Sequence, residues 1–341
     1  MIKNVVKWKL KYISKENYKK YLLKFLLILV ICIITFIQIQ TKIKVCLCAV
    51  GKNENKYINE FVDHYKNYGI DKIFIYDNND IDGEKFEEKI SKYIKLEFIQ
   101  IINHRGERGI QKRMYQDCYD KNNKKYNWLI FFDFDEFIHL KKYNNIKEFL
   151  NSKKFIKCNS IYLNFLLHTD NNMKFYDNRS LSERFTETIT NKKYCIGKSI
   201  IKGNLKNIRL TSVHTLGIHK RRCNGFGKFI ESKGRRCLIP DYKYNYIDHY
   251  YTKSTEEFIN KINRGSGIYG DNDVVKYAKI NDYFSINKVT LEKINLIGKK
   301  TNLNISEIKE NIIRKKMYNN LIKDFNKNSS NIEANLKLSI I

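Results

Sequence analysis

An α/β fold of the Rossmann-like kind, a mostly parallel sheet with helices on both faces, preceded by a single transmembrane helix, is what this 341-residue sequence predicts. Three observations predict it. Between residues 43 and 132, short apolar runs of strand length alternate with segments whose apolar residues recur at helical spacing. That rhythm lays strands side by side in one direction, with helices covering the sheet. The last of these runs, 128–132, leads straight into a pair of aspartates. Finally, residues 21–39 are apolar except for Lys24, Thr35 and Gln38, close to the roughly 20 residues a helix needs to cross a bilayer.

Taken in order, residues 1–20 form a basic segment with Lys3, Lys7, Lys9, Lys11, Lys15, Lys19 and Lys20 against one acid, Glu16. Positive charge before an apolar span favours a cytoplasmic N-terminus and a body across the membrane. Lys24 lies near the start of the span and can snorkel to the headgroups. No small-x-small cleavage site follows in 36–40, so 21–39 reads as an uncleaved single-pass signal-anchor rather than a signal peptide.

A first strand is expected over 43–50, then a helix carrying Tyr57, Ile58, Phe61, Val62 and Tyr65 and ending at Gly69. A strand at 72–76, a helix at 84–93, a strand at 96–102, a helix at 111–120 and the strand at 128–132 follow. Ligands of such sheets bind at the carboxyl ends of the strands, which singles out loops 51–56, 77–83, 103–111 and 133–140. Beyond residue 155 strands are expected near 160–167, 196–202, 208–214 and 243–249, with a helix at 254–263 and a polar helical end. The catalytic domain is placed at 43–270 and a helical C-terminal region at 271–341.

The net charge of +28 comes from lysines scattered along the whole chain rather than gathered in one stripe, which reads as a solvated surface. Nucleic-acid binding needs a basic face with interleaved aromatics or a known module, and neither is present. The eight cysteines include no C-x-x-C pair, which argues against zinc. Cys46 and Cys48 alternate along an apolar strand as small hydrophobes, and Cys223–Cys237 is the candidate disulfide.

The chemistry centres on Asp133-Phe134-Asp135-Glu136. In an extended chain, residues two apart point the same way, so Asp133 and Asp135 converge while Phe134 faces the core. Two close carboxylates repel unless a cation sits between them, and hard oxygen ligands select Mn²⁺ or Mg²⁺. A bare acidic turn capping a strand is the rival reading. Position at the carboxyl end of a buried strand brings the metal reading level with it.

With these residues in view, the chain resembles glycosyltransferase family 92, and more loosely the family 2-like enzymes. The likeness runs through Val50-Gly51-Lys52-Asn53-Glu54, Glu60, Phe61 and His64, Tyr68-Gly69-Ile70-Asp71, Asp77-Asn78 and 105–111 to the W-x-x-F-x-D-x-D-E-F segment. It continues in Ser182-Glu183-Arg184-Phe185, Gly197-Lys198-Ser199-Ile200-Ile201, His249-Tyr250, Lys253-Ser254-x-x-Glu257-Phe258 and Lys261-x-x-Arg264-Gly265, so it covers about 43–270. The family's aromatic stretch after the metal motif is replaced here by Asn164-Phe165-Leu166-Leu167-His168-Thr169-Asp170, the region expected to face the acceptor.

The resemblance implies a GT-A fold that binds a nucleotide sugar, with a UDP-sugar as the expected donor, and passes the sugar with inversion to a glycan or glycoconjugate. On this reading Lys52, Asn53, Glu54 and Asp77 meet the nucleoside. Arg105, Arg108 and Gln111 meet the base or diphosphate, since arginine's planar donors match phosphate oxygens. The metal ligands are Asp133 and Asp135, completed by His249 or His214. An inverting transfer needs one general base, for which Asp170 and Glu183 are the candidates, with Glu136 orienting the metal shell. Two other classes compete: a metal-dependent phosphoryl-transfer enzyme, for which a second acidic pair is missing, and a non-catalytic protein binding anionic lipid or polyanions at the membrane surface.

Overall fold

The computed structural model describes residues 15–40, 43–190, 196–218, 220–230, 242–265 and 272–314. The chain divides into two compact units, Met1–Lys44 and Val45–Ile341.

In the first unit, helix α1 (Lys15–Gln40) covers the expected anchor. Its apolar side chains find no core: Leu23 is 71% exposed and Phe25 63%. Among the described residues, however, no helix is long and apolar enough to cross a membrane. The transmembrane expectation is corrected to that extent: the structure gives the helix and not the span. The side chains of 33–40, the far part of the expected span, lie outside the described residues.

The second unit begins with β1 (Val45–Gly51), α2 (Ile58–Asn67), β2 (Lys72–Asp77), α3 (Glu87–Lys95), β3 (Ile99–Asn103), α4 (Gln111–Asn122) and β4 (Trp128–Phe131), in the expected order. Strands β1, β2 and β4 are short and apolar because both faces are covered, while β3 at the sheet edge is partly exposed, and the helices bury one stripe each, Ile58, Phe61, Val62 and Tyr65 in α2. Then come β5 (Glu136–Leu140), α5 (Ile146–Asn151), β6 (Ser160–His168), α6 (Leu181–Arg184), β7 (Thr188–Ile189), β8 (Gly197–Lys202), β9 (Arg222–Asn224), β10 (Asn245–His249), α7 (Thr255–Asn263), α8 (Asp273–Ile286) and α9 (Leu291–Thr301). The sheet runs β3-β2-β1-β4-β8-β6-β10-β5, with β7 and β9 paired to β6. Strands β3, β2, β1 and β4 are mutually parallel. Strand β8 runs antiparallel between β4 and β6, while β10 is parallel to β6.

Two expectations are corrected here. Residues 208–214 are not a strand: Leu210, Val213, Leu216 and Ile218 pack as a loop against Met114, Tyr115 and Cys118 of α4. Left-handed residues at Asn204, Asn207, Leu216 and Gly217 turn the chain there, so the apolar spacing serves one packed face without extension. The cysteines also differ. Cys48 is joined to Cys118 and Cys158 to Cys223, while Cys46 is free and buried. The candidate partner Cys237 lies outside the described residues. The C-terminal helices share a core with α7, where Phe258 and Ile262 meet Ile280, Tyr283, Ile294 and Ile297.

His64 of α2 is enclosed behind the sheet edge. Its Nε2–H donates to the Ile138 carbonyl at 3.1 Å and its ring stacks on Tyr68 at 4.6 Å. Burial pulls its pKa down to about 4, outweighing the carbonyl bond. An unfolded histidine binds a proton near pH 6.5, so stability is full above that value and is lost as pH falls from 6.5 toward 4. About 2 kcal/mol is expected to disappear at pH 5 through His64. Urea unfolding at pH 7 and pH 5 reads it: His64→Gln should shrink the difference by about 2 kcal/mol, and an equally steep variant would refute the assignment.

Candidate active site

The carboxyl ends of β1, β2, β4 and β10 gather the expected loops on one edge of the sheet, as parallel pairing requires. The Asp-x-Asp segment does not continue β4 in extended form, which corrects the expected geometry. It is a tight turn between β4 and β5. The Glu136 amide donates to the Asp133 carbonyl at 3.0 Å, and the Asp133 amide donates to Glu136 Oε2 at 3.0 Å. Phe134 pins the turn to the core, 4.7 Å from the Phe61 ring. Gly51 makes room for it, since a Cβ there would lie 2.4 Å from the Phe134 ring.

Asp133 keeps its side chain 34% exposed. Its Oδ1 accepts from Gln111 Nε2 at 2.7 Å and the Tyr115 hydroxyl at 2.8 Å, and Lys198 Nζ lies 3.0 Å from Oδ2. The same ammonium lies 3.3 Å from Glu136 Oε2, with both side chains buried. Asp135 is buried as well. Its Oδ2 faces Lys261 Nζ at 2.7 Å and Lys253 Nζ at 3.6 Å, and its Oδ1 lies 3.6 Å from His249 Nε2. The Tyr250 amide donates to the Asp135 carbonyl at 2.9 Å, tying the end of β10 to the turn. Asp135, Glu136 and His249 bring ligand atoms within 4.8 Å of one another.

Charge follows from these contacts. Burial raises the Asp135 carboxyl, but Lys261 and Lys253 outweigh it and hold it well below the carboxylate range. Burial likewise opposes ionisation of Asp133, and Lys198 overrides it. Glu136 is pushed well above its ordinary value by burial and by Asp133. Burial lowers the His249 pKa against the pull of Asp135, which favours the neutral imidazole that binds metals. Its Nδ1 is buried without a hydrogen-bond partner among the described residues.

His214 lies in the 203–218 loop. Its Nδ1 faces the Gly197 carbonyl at 3.2 Å, and burial pulls its pKa down to about 4. It flanks Phe165 at 6.2 Å from one side, whereas His249 packs on that ring at 4.2 Å, and it is not in the Asp-Glu-His group.

Of the residues expected at the donor, Gln111 reaches Asp133 directly. Asp77 is buried and builds its loop, accepting from the Asn79 amide at 2.9 Å and Arg105 Nε at 2.8 Å. Arg105 also donates to the Ile81 carbonyl at 3.0 Å, so its guanidinium braces the loop. Lys52 pairs with Asp80 at 2.7 Å on the surface, and Arg108 is exposed. Asn53 takes a left-handed φ of 56° and donates its amide to Asn79. Glu54 is buried against Arg264, and its Oε2 has no hydrogen-bond partner among the described residues.

The two carboxylates expected as base stand apart from this group. Asp170 is 2% exposed, and its Oδ2 accepts from Lys293 at 2.6 Å and the Tyr283 hydroxyl at 2.5 Å. Glu183 is exposed but closes the capping box of α6 with Ser180, whose bonds hold its carboxyl below the usual range. Arg184 pairs with Glu257 at 2.7 Å rather than with Glu183. Sequence reasoning passed over Lys198, Lys253 and Lys261 as site residues. The signal was there for Lys198, a lysine inside a strand-length run with Ile200 and Ile201. Of the other histidines, His168 donates to Asp248 at 2.8 Å and His139 lies 3.4 Å from it, outside the site. His219 lies outside the described residues.

The sequence profile of glycosyltransferase family 92 matches residues 41–328, nearly the whole second unit. The chain belongs to glycosyltransferase family 92. A family 92 protein of Arabidopsis thaliana is 27% identical over 104 residues, 29% of this chain and 17% of that one. One from Ricinus communis is 27% identical over 103 residues, 30% of this chain and 17% of the relative. The matched stretch thus spans under a fifth of these relatives. Among solved structures, residues 1–349 of S. aureus TarS in complex with UDP-GlcNAc are 14% identical with a TM-score of 0.36, covering 76% of this chain and 80% of that one. The mannosyltransferase PcManGT from Pyrobaculum calidifontis, in complex with GDP-Man and Mn²⁺, is 9% identical with a TM-score of 0.33, covering 80% and 73%.

Proposed function

We propose that this family 92 glycosyltransferase has a GT-A fold and moves a sugar from a nucleotide-sugar donor, a UDP-sugar first among them, to a glycan or glycoconjugate hydroxyl with inversion and with a divalent metal. The observation that carries this reading is the convergence of Asp135, Glu136 and His249, with Asp133 beside them, at the carboxyl edge of the sheet. The donor set fits the ion: carboxylate oxygens and a neutral imidazole suit Mn²⁺, and Mg²⁺ if the carboxylates dominate. Asp135 and His249 would hold it, with Asp133 the accessible carboxylate. A bound metal there acts as a Lewis acid on the donor's diphosphate.

The chain's own residues do the positioning. Gln111, Tyr115 and Lys198 fix the Asp133 carboxylate, and Phe134 locks the turn that presents both aspartates. The β1, β2 and β3 loops, cross-braced by the Asn53–Asn79 and Arg105–Asp77 bonds, offer the nucleoside a preformed wall. The apolar exposed face of α1 and the basic segment before it support a membrane-anchored enzyme with a cytoplasmic N-terminus. The two disulfides suit a catalytic unit in an oxidising compartment.

The test is hydrolysis of UDP- and GDP-sugars, which needs no acceptor, with Mn²⁺ titrated against wild type, His249→Ala and His214→Ala. His249→Ala should raise the Mn²⁺ requirement at least about 10-fold, a loss of one ligand worth roughly 1.4 kcal/mol or more. His214→Ala should leave it unchanged. Because burial lowers the His249 pKa, the acid limb of activity should lie below the ordinary histidine value near 6.5. Full activity in EDTA would overturn the metal, and a shift confined to His214→Ala would exchange the two histidines.

A further inference from the structure

We propose that Lys253 and Lys261 grip the donor's diphosphate, two buried ammonium groups resting on Asp135 until the phosphates arrive; this rests on the nucleotide-sugar reading above. Among the described residues, each other buried cation of the site has a carboxylate of its own. Lys198 faces Asp133 and Glu136, and Arg264 faces Glu54. Of the described carboxylates of the site, only Asp135 is shared by two lysines, Lys261 at 2.7 Å and Lys253 at 3.6 Å from one oxygen, with side chains 19% and 5% exposed. One ammonium neutralises a carboxylate. A second buried beside it is costly unless another anion completes the set.

The backbone points the same way. Lys253 sits at φ 52°, in the left-handed region, which a long side chain rarely adopts and which gathers at functional sites. That conformation is held in place from both sides. Ser254 caps α7 through a reciprocal box with Glu257, and the Lys253 ammonium lies 4.3 Å over the Tyr57 ring, itself fixed by a 2.7 Å bond to Glu257. Lys261, two turns into the same helix, is steadied by the Tyr251 carbonyl at 3.0 Å. Both are lysines, compact charges on flexible stems that can turn from a carboxylate to a phosphate oxygen. A cation entering at Asp135 and His249 would displace them toward that second anion. This gives a chemical role to the late Lys-Ser and Lys-x-x-Arg-Gly motifs.

The experiment uses the full chain in detergent micelles and titrates inorganic pyrophosphate, UDP, GDP and uridine with Mn²⁺ present, by calorimetry. Lys253→Met and Lys261→Met each leave Asp135 one ammonium, so the fold should hold, and melting of each variant checks this. Pyrophosphate and UDP affinity should fall about 10- to 100-fold in each variant, the range for a lost charge-assisted bond, while uridine affinity stays within about 2-fold. Lys261→Arg, which keeps the charge, should recover part of the pyrophosphate affinity. Unchanged pyrophosphate affinity in both methionine variants, or uridine weakened by the same factor, overturns the grip while leaving the donor reading in place. Wild type that binds pyrophosphate but neither UDP nor GDP overturns the donor reading instead, and wild type that binds none of them overturns both.

Discussion

Asp135→Asn is expected to lower transfer at least about 10³-fold, the loss of roughly 4 kcal/mol of transition-state stabilisation, and to destabilise the folded protein as well. Asp133→Asn should lower transfer comparably and cost far less stability. The difference lies in what each carboxylate holds. Asp135 is 5% exposed between Lys253 and Lys261, so an amide there strands the buried Lys253 ammonium and weakens the hold on the partly buried Lys261, a defect worth about 3–5 kcal/mol. Asp133 is a third exposed, and its lysine keeps Glu136 as a partner. Losing it should cost about 1 kcal/mol, the order of one hydrogen bond. Sugar transfer at saturating Mn²⁺ and the urea midpoint of each variant separate the two effects. Undiminished transfer by either variant would remove the aspartates from the chemistry, and equal midpoints would mean that Asp135 is not the buried keystone of the lysine pair.

The strand–helix order from 43 to 132 was legible because β1, β2 and β4 are apolar and buried almost throughout and each helix shows one apolar stripe. Such patterns depend on neighbours a few residues away. The site was legible in part for the same reason: a buried strand ending in two aspartates is a local feature, and so is Gln111 at the head of α4. What escaped was not written in the spacing. The Asp133–Glu136 turn is closed by two bonds between those residues, one of them from the Asp133 amide to the Glu136 carboxylate, and neither changes the spacing of the aspartates. Residues 208–214 have strand-like apolar spacing because they cover α4 as a loop. The Cys48–Cys118 and Cys158–Cys223 bonds join residues 70 and 65 positions apart, and no spacing rule reports such pairs.

The most instructive case is Asp170, and it yields the sharpest test. Its place after the metal motif suited a general base, yet its carboxylate is bonded to Lys293, 123 residues further along the chain, to Tyr283 and to the Asn172 amide at 2.9 Å. A base must reach a substrate proton with a free oxygen lone pair, and this one is enclosed at 2% exposure. Asp170→Asn is therefore expected to act on the fold. It leaves the Lys293 ammonium buried without a carboxylate, which should cost about 3–5 kcal/mol and lower Tm by on the order of 10 °C. Turnover per folded molecule at low temperature should stay within about 3-fold of wild type, since the disturbed contacts join the end of β6 to α8 and α9 rather than to the Asp135–Glu136–His249 group. Catalysis predicts the reverse pattern: an unchanged Tm and a fall of about 10² or more in kcat. Melting curves together with kcat normalised to the folded fraction decide between them, because a structural carboxylate and a catalytic one move opposite readouts.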